Sequence, residues 1–136
     1  MGRVFFNTRK NIHALDGAYT MLASDSGKTF MLSATGGTVA ITLLPAADLV
    51  EGWNCKFVVL EATQSNAITI GAGSAIIDMV MKDAGGNASN STAGTAVSNL
   101  IVGTSSTQGD YINIFCDGST YYAECLSGID DAVTTS

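Results

Sequence analysis

The sequence has little charge and almost no proline. Charged residues make up 13% of its 136 residues, about half the usual share, while 46% are hydrophobic. A disordered chain needs the opposite balance, so this composition excludes one. Pro45 is the single proline, and the turns must therefore come from the 15 glycines together with Asn, Asp and Ser. Such turn chemistry is typical of a chain with many short strands.

Long apolar runs are also missing. No segment approaches the roughly 20 apolar residues that cross a membrane. The first residues lack the basic segment and apolar core of a secretory signal. We therefore expect a single domain that neither binds a membrane nor is exported by that route.

Basic residues are few, and half of them lie at the start of the chain. Arg3, Arg9 and Lys10 precede the first acidic residue, Asp16, whereas residues 16–136 hold twelve acidic and three basic residues. Nucleic-acid binding needs a basic surface, so the acidic body argues against a nucleic-acid partner. The first 18 residues show no clean helix or strand period and are interpreted as an extended arm.

Histidines and paired cysteines are scarce too. His13 is the only histidine and lies in the predicted arm, where a catalytic group would lack a rigid scaffold, so we expect a solvated or interface residue. Cys55, Cys116 and Cys125 show no CxxC spacing for zinc or redox chemistry. Buried thiols are the simpler interpretation.

Motifs for catalysis are incomplete. The segment 26–29, Ser-Gly-Lys-Thr, ends like a phosphate-binding loop, but Leu22 stands where that motif needs glycine. Lys28 also leads into a predicted strand instead of a helix. The carboxylates are scattered, without a local pair for glycoside hydrolysis or the alternating ligands of a calcium loop. We predict a non-enzymatic protein with no cofactor and no metal.

Alternation of apolar and polar residues predicts strands over most of the remaining chain. We expect one glycine-broken hairpin at 29–34 and 38–43, and a second at 67–70 and 75–81. Residues 54–61 are largely apolar on both faces and predict a central strand.

The clearest hairpin signal is Asp117-Gly118, between the predicted strands 111–116 and 120–126. Such turns need positive φ, which Gly and Asp tolerate. The hairpin would hold Cys125 several strand positions from Cys116, too far apart for a disulfide.

Three segments fall outside this strand pattern. Residues 45–50 fit one helical turn, 83–96 lack any large apolar side chain and predict a surface loop, and 127–136 are polar and expected to fray. The predicted organisation is an N-terminal arm at 1–18, a β domain at 19–127 and a flexible tail at 128–136.

Four aromatic residues raise a choice between binding and packing. Trp53, Tyr111, Tyr121 and Tyr122 could form a sugar-stacking platform if they were exposed on a sheet. Aromatics on strands more often lie in a core or a subunit interface, which is the interpretation we favour.

Several segments carry a resemblance to a known group of proteins. They are ASDSGKTF at 23–30, ITLLP at 41–45, GWNCKFVV at 52–59, GDYINI at 109–114 and CDGSTYY at 116–122. Together, over about residues 20–127, they resemble bacteriophage capsid decoration proteins, also called cement proteins, and related phage virion β domains.

The resemblance and the strand pattern together imply an all-β fold, an antiparallel β-sandwich or jelly-roll-like single domain with at most one short helix. The resemblance implies a structural virion protein, made in the host cytoplasm, that sits as homotrimers on the outer capsid surface. There it would bind the major capsid protein, bridge capsomers and stabilise the shell. The residues expected to bind the capsid or a sister subunit are Arg3, Val4, Phe5, Phe6, Arg9 and Lys10.

The alternative is a phage tail-fibre or receptor-binding β module that contacts host glycans. In that case the arm would join the virion, and loop 83–96 or the tyrosine-rich hairpin would touch the glycan.

Overall fold

The computed structural model describes residues 12–74, 76–83, 93–129 and 132–136. Strands dominate these ranges, as the alternation of apolar side chains predicts. The twelve strands described are β1 (Ile12–Leu15), β2 (Tyr19–Thr20), β3 (Lys28–Leu32), β4 (Val39–Thr42), β5 (Asn54–Val59), β6 (Ile68–Gly71), β7 (Ile77–Asp83), β8 (Ala93–Val97), β9 (Asn99–Val102), β10 (Tyr111–Cys116), β11 (Tyr121–Ser127) and β12 (Val133–Thr135).

Two sheets pack face to face around the core. The large sheet has the strand order β1-β3-β5-β10-β11-β7-β8, and the small sheet has the order β12-β9-β6-β4-β2. This arrangement confirms the predicted all-β sandwich. Both sheets are mixed instead of purely antiparallel, because each contains parallel and antiparallel pairs.

The first six strands alternate between the sheets. β1, β3 and β5 run parallel in the large sheet, while β2, β4 and β6 run parallel in the small one. The chain therefore winds through three coils, each with one strand per sheet. Both glycine-broken hairpins predicted from the sequence are wrong, because β3 and β4, like β6 and β7, lie in different sheets.

Hydrogen bonds from other segments explain why the first of these pairs is no hairpin. After β3, the Ala34 N–H donates to Gln64 Oε1 at 2.8 Å, and Asn66 Nδ2 donates to the Ala34 carbonyl at 2.9 Å. A buried backbone needs such partners, and here two side chains provide them in place of a neighbouring strand. Strand alternation alone cannot reveal this choice, since β3 and β4 turn apolar faces inward in either arrangement.

The backbone after β6 also forms its hydrogen bonds with segments other than the next strand. The Gly71 carbonyl accepts from Leu43 N–H at 2.7 Å, and Ala72 N–H donates to the Ser98 carbonyl at 3.1 Å. These backbone groups are thereby committed to the small sheet and to the approach to β9. The chain then crosses to the large sheet before β7 begins.

The central strand and the last hairpin are confirmed. β5 lies between β3 and β10, and β10 pairs with β11 across the Asp117-Gly118 turn, with Cys116 opposite Tyr121. Cys125 lies opposite Ile112, about four residues or 13 Å along the strand from Cys116. That register keeps the two thiols too far apart for a disulfide, as expected, and all three cysteines are buried.

Aromatic rings fill the space between the sheets. Phe30 contacts Phe57 with ring centroids 5.6 Å apart, and Trp53 meets Tyr121 edge-on at 5.9 Å. The Tyr121 hydroxyl donates to the Leu44 carbonyl at 3.0 Å, which satisfies its polar atom inside the core. Burial of each such side chain contributes about 1.5–3 kcal/mol.

Both ends of the predicted β domain need correction. β1 lies inside the predicted arm and pairs with β3, while β12 lies inside the predicted tail and pairs with β9. Ala132 and Val133 are buried, so fraying is the wrong expectation for residues 132–136. Polar neighbours hid this short strand from the sequence pattern.

Other boundaries shift by a few residues. The predicted loop 83–96 loses its ends to β7 and β8, and residues 84–92 lie outside the described ranges. The predicted helical turn appears as a 3-10 helix at Ala46–Asp48, and another is found at Ala23–Asp25. Among the described residues, no helix is long and apolar enough to span a membrane.

The β10–β11 turn yields a stability prediction. Gly118 has φ +97, and a Cβ there would only come into ordinary contact with Glu51 at 3.7 Å, so Gly118→Ala should cost mainly backbone strain. We expect a loss of about 1–2 kcal/mol in the free energy of unfolding, measured by urea denaturation.

Gly36→Ala is the matched control. A Cβ at Gly36 would meet nothing within 4 Å, and this glycine is not among those with positive φ. Its stability should stay unchanged or rise slightly. Equal losses in both variants would contradict the role of the Gly118 turn.

Candidate interaction surfaces

The arm residues predicted to bind a capsid or a sister subunit lie outside the part of the chain that the structure describes. They are Arg3, Val4, Phe5, Phe6, Arg9 and Lys10. β1 is the described strand nearest to them in sequence, so the surface around β1 is the first candidate.

β1 and β2 close the same end of the core. The Phe30 ring contacts His13 of β1 at 5.6 Å and Tyr19 of β2 at 5.7 Å between ring centroids. β1 pairs with β3 and β2 pairs with β4. Within the described ranges, no strand pairs with the other edge of β1 or of β2. We call residues 12–15 and 19–20 the open end.

The open end combines an exposed apolar side chain with a buried polar atom. Ile12 is 68% exposed, the highest value among the exposed large hydrophobic side chains of the described residues. His13 points inward, and its Nε2 is buried with no hydrogen-bond partner among the described residues. A buried polar group without a partner costs about 1–3 kcal/mol. His13 is thus not the solvated residue considered from the sequence.

An ion pair between the buried Asp25 and the partly exposed Lys28 fixes the chain between the open end and β3. Asp25 is 1% exposed and accepts hydrogen bonds from Lys28 Nζ at 2.7 Å, Leu22 N–H at 2.9 Å and the Tyr19 hydroxyl at 3.0 Å. Burial acts to raise the pKa of Asp25, but these three donors outweigh it and the pKa is lowered. Lys28 therefore serves structure here, in line with rejecting a phosphate-binding loop.

Two further carboxylates hold loops in place. Asp110 accepts from Thr107 N–H at 2.8 Å, Ser127 Oγ at 3.0 Å and Gly128 N–H at 2.9 Å, which ties the start of β10 to the end of β11. Asp117 accepts from the backbone N–H groups of Ser119 and Thr120 in the hairpin turn, each at 2.8 Å. In the described ranges, no three His, Cys, Asp or Glu side chains cluster to hold a metal ion.

The void that the described residues leave between the sheets is small. It is lined by residues that include Leu32, Phe57, Val102 and Val133, and it has a volume of about 10 Å³. This is at the lower limit for one water molecule. A ligand larger than a water molecule would not fit in this void and would have to bind on the outer surface of the sandwich.

The second candidate surface is the outer side of the large sheet. Alternation along β10 and β11 turns one set of side chains away from the core. We call this set, with Lys56 of the adjacent β5, the aromatic face: Lys56, Tyr111, Asn113, Phe115, Tyr122, Glu124 and Leu126.

Pairing between strands arranges the aromatic face in three rows. Phe115 lies opposite Tyr122, Asn113 opposite Glu124, and Tyr111 opposite Leu126. Successive rows are two residues apart, or about 7 Å. A polar row therefore separates two rows that carry aromatic side chains.

Contacts within the face orient its rings. Phe115 and Tyr122 stack with centroids 5.1 Å apart and planes inclined by 21°. The Tyr122 hydroxyl donates to Asp117 Oδ2 at 3.1 Å, and Lys56 Nζ lies 4.3 Å from the centre of the Tyr111 ring. Phe115 nevertheless remains 54% exposed.

The structure divides the four aromatics considered from the sequence. Trp53 and Tyr121 are buried in the core, whereas Tyr111 and Tyr122 lie on the outer surface. Phe115 was missed, although the signal was present: it alternates with the inward residues of β10, so it must point outward.

A scan against protein-family models matches none of them, and a search of curated proteins finds no similar sequence.

The structural carboxylates yield a pH prediction. Hydrogen bonds from the Thr120 and Ser119 backbone and the Ser119 hydroxyl lower the pKa of Asp117 to about 2. Because the unfolded chain binds more protons than the folded one below about pH 4, stability should fall as the pH drops from 4 to 2.

Asp117→Asn keeps a side-chain oxygen for the turn but removes the titration. Its urea midpoint should therefore fall less steeply between pH 4 and pH 2 than that of the wild type, while the difference between the two proteins stays constant above pH 5. Parallel curves at acid pH would contradict this role.

Proposed function

We propose that this chain is a non-enzymatic structural protein of a phage virion, which attaches to the outer surface of the capsid by its open end and N-terminal arm. It would bridge capsomers there and stabilise the shell. The observation that carries the proposal is the exposed Ile12 on β1, whose outer edge pairs with no other described strand and which follows closely in sequence on the basic and apolar residues 3–10.

An unpaired strand edge offers a direct mode of attachment. A partner strand can add to such an edge, with main-chain hydrogen bonds for affinity and alternate side-chain contacts for specificity. The exposed side chain of Ile12 would contact that strand, and His13 Nε2, which has no hydrogen-bond partner among the described residues, would lie close to it. The basic residues Arg3, Arg9 and Lys10 precede β1 in the sequence. They would meet acidic groups of the capsid.

The resemblance of segments 23–30 and 109–122 to capsid decoration proteins supports the same function. Within these segments, Asp25 and Asp110 are buried and engaged by several donors, and Asp117 holds a turn.

Capsid binding should depend on Ile12. Burial of an isoleucine side chain contributes about 1.5–3 kcal/mol, so Ile12→Asp should weaken binding roughly 10- to 100-fold. The measurement is cosedimentation with empty shells of the major capsid protein encoded in the same genome. Removal of residues 1–11 should weaken binding as well and leave the circular dichroism spectrum of the sandwich intact.

Val50→Asp is the control, because Val50 is 57% exposed and lies outside both surfaces. It should bind shells like the wild type. Wild-type protein that fails to sediment with shells at micromolar concentration would refute the proposal, as would equal binding by the two aspartate variants.

We also propose a trimer, since three copies multiply weak contacts with a shell. Light scattering on the purified protein should give three times the mass of one chain. A monomer at the concentration used for shell binding would remove this part of the proposal.

A further inference from the structure

We propose that the aromatic face binds a neutral glycan. This inference is independent of attachment to a capsid, because the aromatic face lies in the middle of the large sheet and the open end lies at its edge.

The chemistry of the rows suits a sugar chain. A sugar ring presents a face of C–H groups and a rim of hydroxyls that both donate and accept hydrogen bonds. The stacked pair of Phe115 and Tyr122 offers apolar surface for such a face, and the neighbouring row offers Asn113 and Glu124 for the rim. Aromatic and polar groups thus alternate at about 7 Å along the strands.

Charge argues against a polyanionic ligand. The chain carries a formal net charge of −6. The aromatic face holds the carboxylate of Glu124 and the ammonium of Lys56. The neighbouring β7 places Asp78 opposite Tyr122 and Lys82 opposite Leu126, so acidic and basic residues balance on this side of the sheet. Lys56 is also engaged with the Tyr111 ring. Nucleic acids and sulfated sugars need a cluster of positive charge, which this face does not present.

The polar row argues against a second protein as the occupant. Cores of protein interfaces are depleted of charged residues, because each charge must lose its water and find a matched partner. Here Lys56, Asn113 and Glu124 cross the centre of the face, between the two rows with aromatics. Sugar hydroxyls can satisfy such groups without a fixed charge pattern.

Exposure shows that Phe115 contributes little to packing in the core. Phe115 is 54% exposed, whereas Phe57, its counterpart in the core, is 1% exposed. A large aromatic side chain held open in an ordered stack is a preformed contact for a ligand, since little side-chain entropy is left to lose on binding.

The test measures binding to immobilised neutral oligosaccharides of glucose, N-acetylglucosamine and mannose, with heparin as the polyanion. We expect the wild type to bind at least one neutral oligosaccharide and to bind heparin more weakly. Phe115→Ala should lower the affinity roughly tenfold, because it removes the stacking surface. Tyr122→Phe, which keeps the ring, should bind better than Tyr122→Ala.

Val50→Ala is the matched control, since it truncates an exposed apolar side chain away from the face. It should bind like the wild type. In nuclear magnetic resonance spectra, the bound oligosaccharide should shift the backbone amides of β5, β10 and β11 and leave those of β4 and β6 unchanged.

Four results would overturn the proposal. Three of them are no binding to any neutral oligosaccharide, equal affinity of Phe115→Ala and the wild type, and tighter binding of heparin than of every neutral sugar. Self-association of the wild type that Phe115→Ala abolishes would identify the face as a subunit interface and would also overturn it.

Discussion

The crossing of the chain from one sheet to the other is the constraint on which the rest of the structure depends. Gln64 and Asn66 hold the backbone of Ala34 where the chain leaves β3, so that β4 joins the opposite sheet. The first six strands can then stack in parallel. Without this crossing, β1 and β2 would not form a shared end, and β5 would not lie between β3 and β10.

The β10–β11 hairpin contributes side chains both to the core and to the aromatic face. Along β10, Ile112, Ile114 and Cys116 point into the sandwich, and the residues between them point to solvent. The inward and outward sets of side chains are linked by strand geometry. A shift of the strand register by one residue would turn the core side chains to solvent and the outer side chains into the core. The Asp117-Gly118 turn holds that register, so a short polar turn determines which rings become exposed.

Three carboxylates hold loops of the sandwich in place. Asp25, Asp110 and Asp117 each accept several hydrogen bonds from nearby loops. The proposed activities therefore rest on surfaces instead of on reactive groups. In our proposals the open end attaches the protein to a shell and the aromatic face recognises a sugar, and their separation would allow both at once.

Much of the fold was predictable from local pattern. The β10–β11 hairpin and the distance between Cys116 and Cys125 were predictable because both depend on neighbours in sequence. Strand alternation predicted an all-β domain, and the apolar character of both faces of β5 predicted its central position. The outward position of Phe115 was available from the same alternation.

Partnership between strands was decided only by the tertiary structure. An amphipathic strand buries the same face whether its successor lies beside it or across the core, so the sequence pattern of β3 and β4 fits both a hairpin and a crossing. The hydrogen bonds that choose between them come from Gln64 and Asn66, about 30 residues away in sequence. Composition likewise suggested that the residues around β12 would fray, whereas pairing with β9 and burial of Val133 hold them in the small sheet.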